Sequence, residues 1–377
     1  MKLSAFLVFL LALAGGCADP SRPDLDPERL RFNAVSTGAT HTCGVSFTGD
    51  AYCWGENGAG QLGDGTTKSR SNPTRVKGGM SFARVSAGHS HTCGVTTAGT
   101  AYCWGKNSYG EVGDGTVAGV GGPGRSSPVS VSGGLTFASV SAGNDHTCGV
   151  TTPGAAYCWG QNDAGQFGDG TTTSRSSPAP VTGGLSFASV EAGRVHTCGV
   201  TRVGAAYCWG TNSSGQIGDG TSASVATQPV PVPGGYNFTA VSAGNHSTCG
   251  ITSSGIVYCW GLYDGKSAPK VPVNIGTRRY ESVSVGSAHV CAATFTGVAY
   301  CWGDNSAGQI GDGTTDFRGV PVLVSGSLTF ATIRAGSFNH TCGVSTGGVA
   351  WCWGFNQGGK VGDGTMDSKL APVQIVP

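Results

Sequence analysis

From residue 32 onward, apolar residues fall in short runs separated by glycine, serine, threonine and aspartate. One stretch shows the pattern. Phe82 to Gly88 reads Phe-Ala-Arg-Val-Ser-Ala-Gly, His91 to Val95 reads His-Thr-Cys-Gly-Val, and Ala101 to Gly105 reads Ala-Tyr-Cys-Trp-Gly. A Gly-Asp-Gly-Thr turn follows at 113–116, then a Pro-Val segment at 128–131. Short alternating runs bounded by turn residues predict strands, and no stretch of the repeats carries a helical period. The same order recurs about every 50 residues. Cysteine pairs mark the period: successive pairs start 50, 55, 50, 51, 42 and 51 residues apart. Several strands per unit at this period predict an all-β, seven-bladed β-propeller with one blade per repeat.

The pairs are Cys43 with Cys53, Cys93 with Cys103, Cys148 with Cys158, Cys198 with Cys208, Cys249 with Cys259, Cys291 with Cys301, and Cys342 with Cys352. Each spans a hairpin, and opposite positions on two strands lie within disulfide reach. Zinc is the rival reading, but zinc sites cluster their ligands closely, and these pairs are spread round a ring. Tyr52 and Trp54 point to one face of their strand while Cys53 points to the other. Repetition in every unit makes the tryptophans stacking groups between blades, with Gly44 leaving room for a ring. The histidines at 41, 91, 146, 196, 289 and 340 each precede a first cysteine by two residues, and repeat five has Ser247 there instead. One imidazole per blade predicts a structural bond to a turn backbone, not a metal site. Each Gly-Asp-Gly-Thr loop offers one carboxylate, which suits fixing a tight turn better than holding calcium. No metal or other cofactor is expected.

The repeated Ala-Gly-x-x-His-Thr-Cys-Gly-Val, Tyr-Cys-Trp-Gly-x-Asn and Gly-Gln-x-Gly-Asp-Gly-Thr segments resemble the regulator-of-chromosome-condensation repeat. The resemblance spans residues 32 to 376 and implies a seven-bladed propeller. It also brings a candidate role, nucleotide exchange on a small GTPase, known for the family's namesake. A bacterial β-lactamase inhibitor of similar fold suggests a second, inhibition of a secreted enzyme. Neither is fixed by the ring, since one fold serves unrelated functions.

Composition narrows the setting. Charged residues are 11% of the chain and the net charge is +1, which argues against a nucleic-acid surface. There are 15 cysteines, and the one outside the pairs is Cys17. Lys2, the apolar run Leu3 to Ala14 and the small residues before Cys17 resemble a bacterial lipoprotein signal. The expected division is a signal peptide over 1–16, a lipidated proline-rich tether over 17–30 and the propeller over 31–377. The expected location is the cell envelope, at the outer membrane, with the lipid as the only membrane attachment. No catalytic constellation stands out from the repeats, so the reading is a non-catalytic, monomeric scaffold that binds a protein or glycan through one face.

Recognition belongs where repeats differ. The residues between Ala-Gly and His-Thr-Cys vary most: His89 and Ser90, Asn144 and Asp145, Arg194 and Val195, Asn245 and His246, Ser287 and Ala288, then Phe338 and Asn339. Equivalent turns share one end of a propeller, so these predict one patch round the channel mouth. Tyr109, Tyr263 and Phe355 are reserve candidates on the opposite face. The only insertion runs from Val117 to Gly124. The ring is expected to close by pairing its two ends, with residues 372–376 joining the blade that holds Cys43.

Overall fold

A computed structural model describes residues 30–266 and 268–376. The expectations for Cys17 and for residues 1–29 lie outside the described residues. Arg31–Pro377 form one compact unit. It contains seven four-stranded antiparallel sheets, each built from consecutive strands. Blade one comprises Phe32–Thr37, His41–Ser46, Ala51–Gly55 and Arg70–Arg75, and blade seven comprises Phe330–Ala335, His340–Ser345, Ala350–Gly354 and Lys369–Gln374. The first strands of successive blades neighbour one another in a closed ring and so line the axis.

Closure differs from the expectation. Residues 369–374 pair with Ala350–Gly354 inside blade seven, opposite Trp351 and Cys352, and not with the blade holding Cys43. The Phe segment and the Pro-Val segment of one repeat are the inner and outer strands of one blade, so neither end leaves an orphan. The ring is shut by a loop instead. The Lys360 carbonyl of blade seven accepts Trp54 Nε1–H at 3.0 Å and Thr42 Oγ1–H at 2.9 Å of blade one. This is the contact that Gln61 of blade one makes with Trp104 and Thr92 of blade two.

Each hairpin sets its cysteines directly opposite each other, and every expected pair is a disulfide. Cys43 is bonded to Cys53, Cys93 to Cys103, Cys148 to Cys158 and Cys198 to Cys208. Cys249 is bonded to Cys259, Cys291 to Cys301 and Cys342 to Cys352. The Cα atoms of Cys43 and Cys53 are 4.1 Å apart, the close approach of a non-hydrogen-bonded pair. Every half-cystine is fully buried. The disulfide face of blade one packs against Phe82, Ala87 and Trp104 of blade two. A Cβ on Gly44 would lie 2.5 Å from the Phe32 ring, so glycine is what admits that ring.

The histidines do not bond to turn backbone. Each Nε2 meets a threonine hydroxyl of the next blade: His41 with Thr92 at 2.7 Å, His91 with Thr147 at 2.9 Å, and His340 with Thr42 at 3.0 Å across the closure. That hydroxyl donates its only hydrogen to the carbonyl of Gln61, Glu111 or Lys360. It must therefore accept from histidine, which assigns the neutral tautomer with hydrogen on Nε2. Burial holds His41, His91 and His196 down to about 3 and His146 and His289 to about 4. Gly88 is needed because a Cβ there would meet the His91 ring at 2.8 Å and the Gly143 carbonyl at 2.5 Å.

The Gly-Asp-Gly-Thr turns follow the expectation. Asp64 Oδ1 accepts the Thr66 N–H at 2.9 Å and its hydroxyl at 2.8 Å. Burial works to raise this carboxyl, but the Thr66 bonds and the Arg70 guanidinium hold it below the usual range.

The outer strands share a device that blunts them. Val76, Val131, Val181, Val232, Ile275, Val324 and Ile375 donate their N–H inward to the third strand. Antiparallel alternation then turns the residue three positions earlier outward. In all seven blades that residue is proline: Pro73, Pro128, Pro178, Pro229, Pro272, Pro321 and Pro372. Proline has no N–H to offer, so the exposed edges cannot easily recruit another strand.

Candidate functional site

The turns joining first and second strands gather at one end of the axis, and their backbones are bolted together. Ala39, His89, Asn144, Arg194 and Asn245 each donate N–H to a glycine carbonyl of the next blade, at 3.1 to 3.3 Å. Position is thus fixed by main chain, and the side chains are free to differ. His89, Asn144, Arg194, Asn245 and Ser337 surround a narrow mouth of about 20 Å³, room for about one water. The structure thus brings His89, Asn144, Arg194 and Asn245 of the varying turns to one end of the axis.

Around the mouth the groups fall into three sets. Lys106 Nζ bonds Asp145 at 2.5 Å and lies 3.6 Å from Glu111. Burial works to raise the Asp145 carboxyl, but the Lys106 ammonium keeps it below the ordinary range. Asn144 also donates to Asp145. Burial pushes the Glu111 carboxyl up. In the second set, Arg194 and His246 meet at 3.2 Å, and burial, then the arginine charge, lower the imidazole. Asn245 bridges to Ser287 at 3.1 Å and to the Ser337 carbonyl at 3.2 Å.

The third set is aromatic. Phe338, 52% exposed, lies 6.0 Å from Phe355, and Lys360 Nζ sits 4.9 and 4.7 Å from their centroids. Lys360 donates to the carbonyls of Ala39 and Phe338, and burial lowers it to about 8. Asn339 points to Asp304 at 3.5 Å. Ser90, Val195 and Ala288 complete the ring of partly buried turn residues.

Tyr109, Tyr263 and Phe355 are not on the opposite face. They belong to loops after third strands, which in an antiparallel blade end beside the first-to-second turns. Lys106, Leu262 and Phe355 N–H groups bond to the Ser90, His246 and Asn339 carbonyls. The reserve candidates therefore enlarge the same patch.

Sequence reasoning missed Lys106, Glu111 and Lys360. The signal was available: Glu111 and Lys360 stand where other repeats carry Gln61, Gln166, Gln216 and Gln309. It also missed Glu191 and Arg334 on the inner strands, where other blades carry Ser36, Ser86, Ser141, Ser242 and Ser284. Those serines accept a backbone N–H of the next blade, as Ser36 does from Ala87 at 2.9 Å. Burial raises the Glu191 carboxyl against the pull of Arg334, the Ser141 hydroxyl and Arg84.

Among the described residues, no group of three or more histidine, cysteine, aspartate or glutamate side chains is placed to hold a metal ion. Nor is any helix there long and apolar enough to cross a membrane.

Segments 48–95, 98–150, 153–200, 204–251 and 296–344 match the regulator of chromosome condensation (RCC1) repeat. A second profile of that repeat matches 32–61, 82–111, 137–166, 187–216 and 280–309. The chain belongs to the RCC1 repeat family. Its sequence is 29% identical over 353 residues to the ultraviolet-B receptor UVR8 of Arabidopsis thaliana, covering 90% of this chain and 69% of that one. The fold is similar to that of human WBSCR16, with TM-score 0.77, 21% identity and coverage of 86% and 88% of the two chains. It is also similar to Prp20p of Saccharomyces cerevisiae, studied for its binding to Gsp1p and histones, with TM-score 0.70, 20% identity and 80% coverage of each chain. The two structural likenesses establish the shared ring.

Proposed function

We propose that this chain is a non-catalytic scaffold of the cell envelope that holds a protein partner on the face round the channel mouth. One observation carries the reading. The varying residues of the first-to-second turns converge on a single patch, while the repeated residues are consumed in holding the blades together. Rigid turns presenting varied amide, charged and aromatic groups are the makings of a recognition surface. Membership of the RCC1 family favours binding over chemistry, since Prp20p is a binder of Gsp1p and histones. Seven disulfides are compatible with an extracellular setting. The lipid attachment at Cys17 belongs to this proposal and would tether the ring to the outer membrane.

The test is crosslinking in envelope extract with wild-type ring and a variant carrying Arg194→Ala, Asn245→Ala and Phe338→Ala. A discrete partner captured by wild type and lost by the folded variant supports the reading. Capture that survives all three changes sinks it. Cys17→Ser should move the protein from the membrane fraction to the soluble one.

A further inference from the structure

A large groove lies away from the mouth, on the rim between blades two and three, with a volume of about 810 Å³. Two departures from the repeat pattern build it, and both come from the second repeat. Tyr109 stands where other repeats have Ala59, Ala164, Ser214, Ala307 or Gly358, and Val117 opens the inserted segment 117–124. The insertion is anchored by Ala118 N–H on the Asn107 carbonyl at 2.9 Å, leaving Val117 56% exposed on the groove wall. The opposite wall is the outer strand of blade three, Arg175–Pro180.

The floor has unusual chemistry. In four other blades the basic residue after the Gly-Asp-Gly-Thr turn sits on its aspartate: Arg70 at 3.0 Å, Arg125 at 2.8 Å, Arg318 at 2.6 Å and Lys369 at 3.0 Å. Arg175 stands 3.8 Å from Asp169, beyond hydrogen-bond distance, with its side chain 48% exposed. Its planar fork of donors is therefore open to an outside carboxylate. Ser108, Ser176 and Ser177 add hydroxyls along the walls. A peptide strand is poorly served here. Pro178 and Pro180 have no N–H to donate, and the Ser176 carbonyl already accepts the Gly115 N–H at 2.9 Å, so little main chain is left here for a strand to pair with.

We propose that this groove binds an acidic oligosaccharide, with a uronate carboxylate on Arg175 and a sugar ring against the face of Tyr109. A glycan needs no backbone ladder and uses the hydroxyls that a strand would waste. Tyr109 is shared with the edge of the mouth patch, but Arg175 and the 117–124 insertion lie outside it, so changes there test the groove without touching the protein partner proposed above.

Calorimetry with trisaccharides of galacturonate, glucuronate and mannuronate, their methyl esters, and an aspartate-rich hexapeptide tests this. At least one uronate should bind, and its ester should bind at least about tenfold more weakly, the scale of a lost charged hydrogen bond. Arg175→Gln should erase the preference for acid over ester. Replacing residues 117–124 by the Thr-Thr-Ser of the third repeat should abolish binding, with the thermal transition confirming an intact ring. Tyr109→Ala should weaken acid and ester alike. The proposal is overturned if no uronate binds, if acid and ester bind equally, if the loop replacement leaves binding unchanged, or if the hexapeptide binds in preference. Crosslinking through the mouth should be the same in Arg175→Gln and in the loop replacement, whose residues lie outside the mouth patch.

Discussion

Six seams of the ring are alike, and the one between blades five and six is not. At the seam between blades one and two, His41, Thr92, Trp104 and the Gln61 carbonyl form one closed set of bonds. At the odd seam the histidine is Ser247, the threonine is Val290, and the loop of repeat five that would supply the carbonyl is cut short. Trp302 remains, but its buried Nε1–H and the Ser247 hydroxyl have no hydrogen-bond partner. The losses are coordinated. Without the carbonyl, a threonine hydroxyl would be an unmatched buried donor, and without that hydroxyl a histidine would be left with a bare N–H. Valine removes that demand, and serine leaves a smaller hydroxyl in place of the imidazole, still unmatched like the Trp302 indole. Packing of Tyr280, Val285, Val290 and Trp302 in one cluster then holds this seam. Shape complementarity of flat blades thus suffices for adhesion, and the polar set adds definition at the other six.

Acid should separate the two kinds of seam most strongly. Histidines with folded values near 3 to 4, below the free value of 6.5, leave the unfolded chain binding more protons between those limits. Their contribution is complete above about pH 6.5 and is lost as pH falls toward 4. Each unit of difference is worth about 1.4 kcal/mol per histidine, and His340 is shifted in the same direction, so the histidines together weaken the ring in acid. Chemical denaturation followed by tryptophan fluorescence should show stability falling steeply between pH 6.5 and 4.5. A flat profile there would contradict the buried neutral histidines. His91→Gln should lessen the slope by about one proton, while changes at Ser247 should leave it unaltered.

Threonine exchanged in mirror image gives the next effect. Thr92→Val strands the His41 N–H and should cost about 1–3 kcal/mol, the penalty of an unmatched buried donor. Val290→Thr should also destabilise, by a similar amount, because it brings a hydroxyl to a seam that lacks the loop carbonyl on which the other threonines rest. A stabilising Val290→Thr would show that an acceptor is present there after all.

The smallest contrast is in the tryptophans. Trp104→Phe loses a bond to a carbonyl that Thr92 still satisfies, a cost of about 1 kcal/mol beyond the lost ring area. Trp302→Phe loses no bond, so urea midpoints should show it as the milder change. Equal shifts for the two would mean that the indole N–H contributes nothing at the regular seams.

The repeat itself made much of this legible. Hairpin register, the disulfides and the alternation of Trp54 with Cys53 are decided within about ten residues, where strand periodicity and turn chemistry act directly. The seven blades follow from counting those hairpins. The patch was legible too, because side chains spared from repeated duty stand out in an internal comparison. Other features were set by the tertiary structure alone. Which strand completes blade seven depends on whether the last Pro-Val segment folds back on Trp351 or crosses to Tyr52, and both have the same local pattern. The partner of each histidine sits about 50 residues away on the next blade, at a distance fixed by the rotation between blades. Tyr109 and Phe355 join the mouth's face because third strands run parallel to first strands, and the rim groove exists only where the second repeat's insertion lies beside the third repeat's outer strand. Local pattern dictates each blade, but contacts between blades arise from rigid-body packing, which no period along the chain encodes.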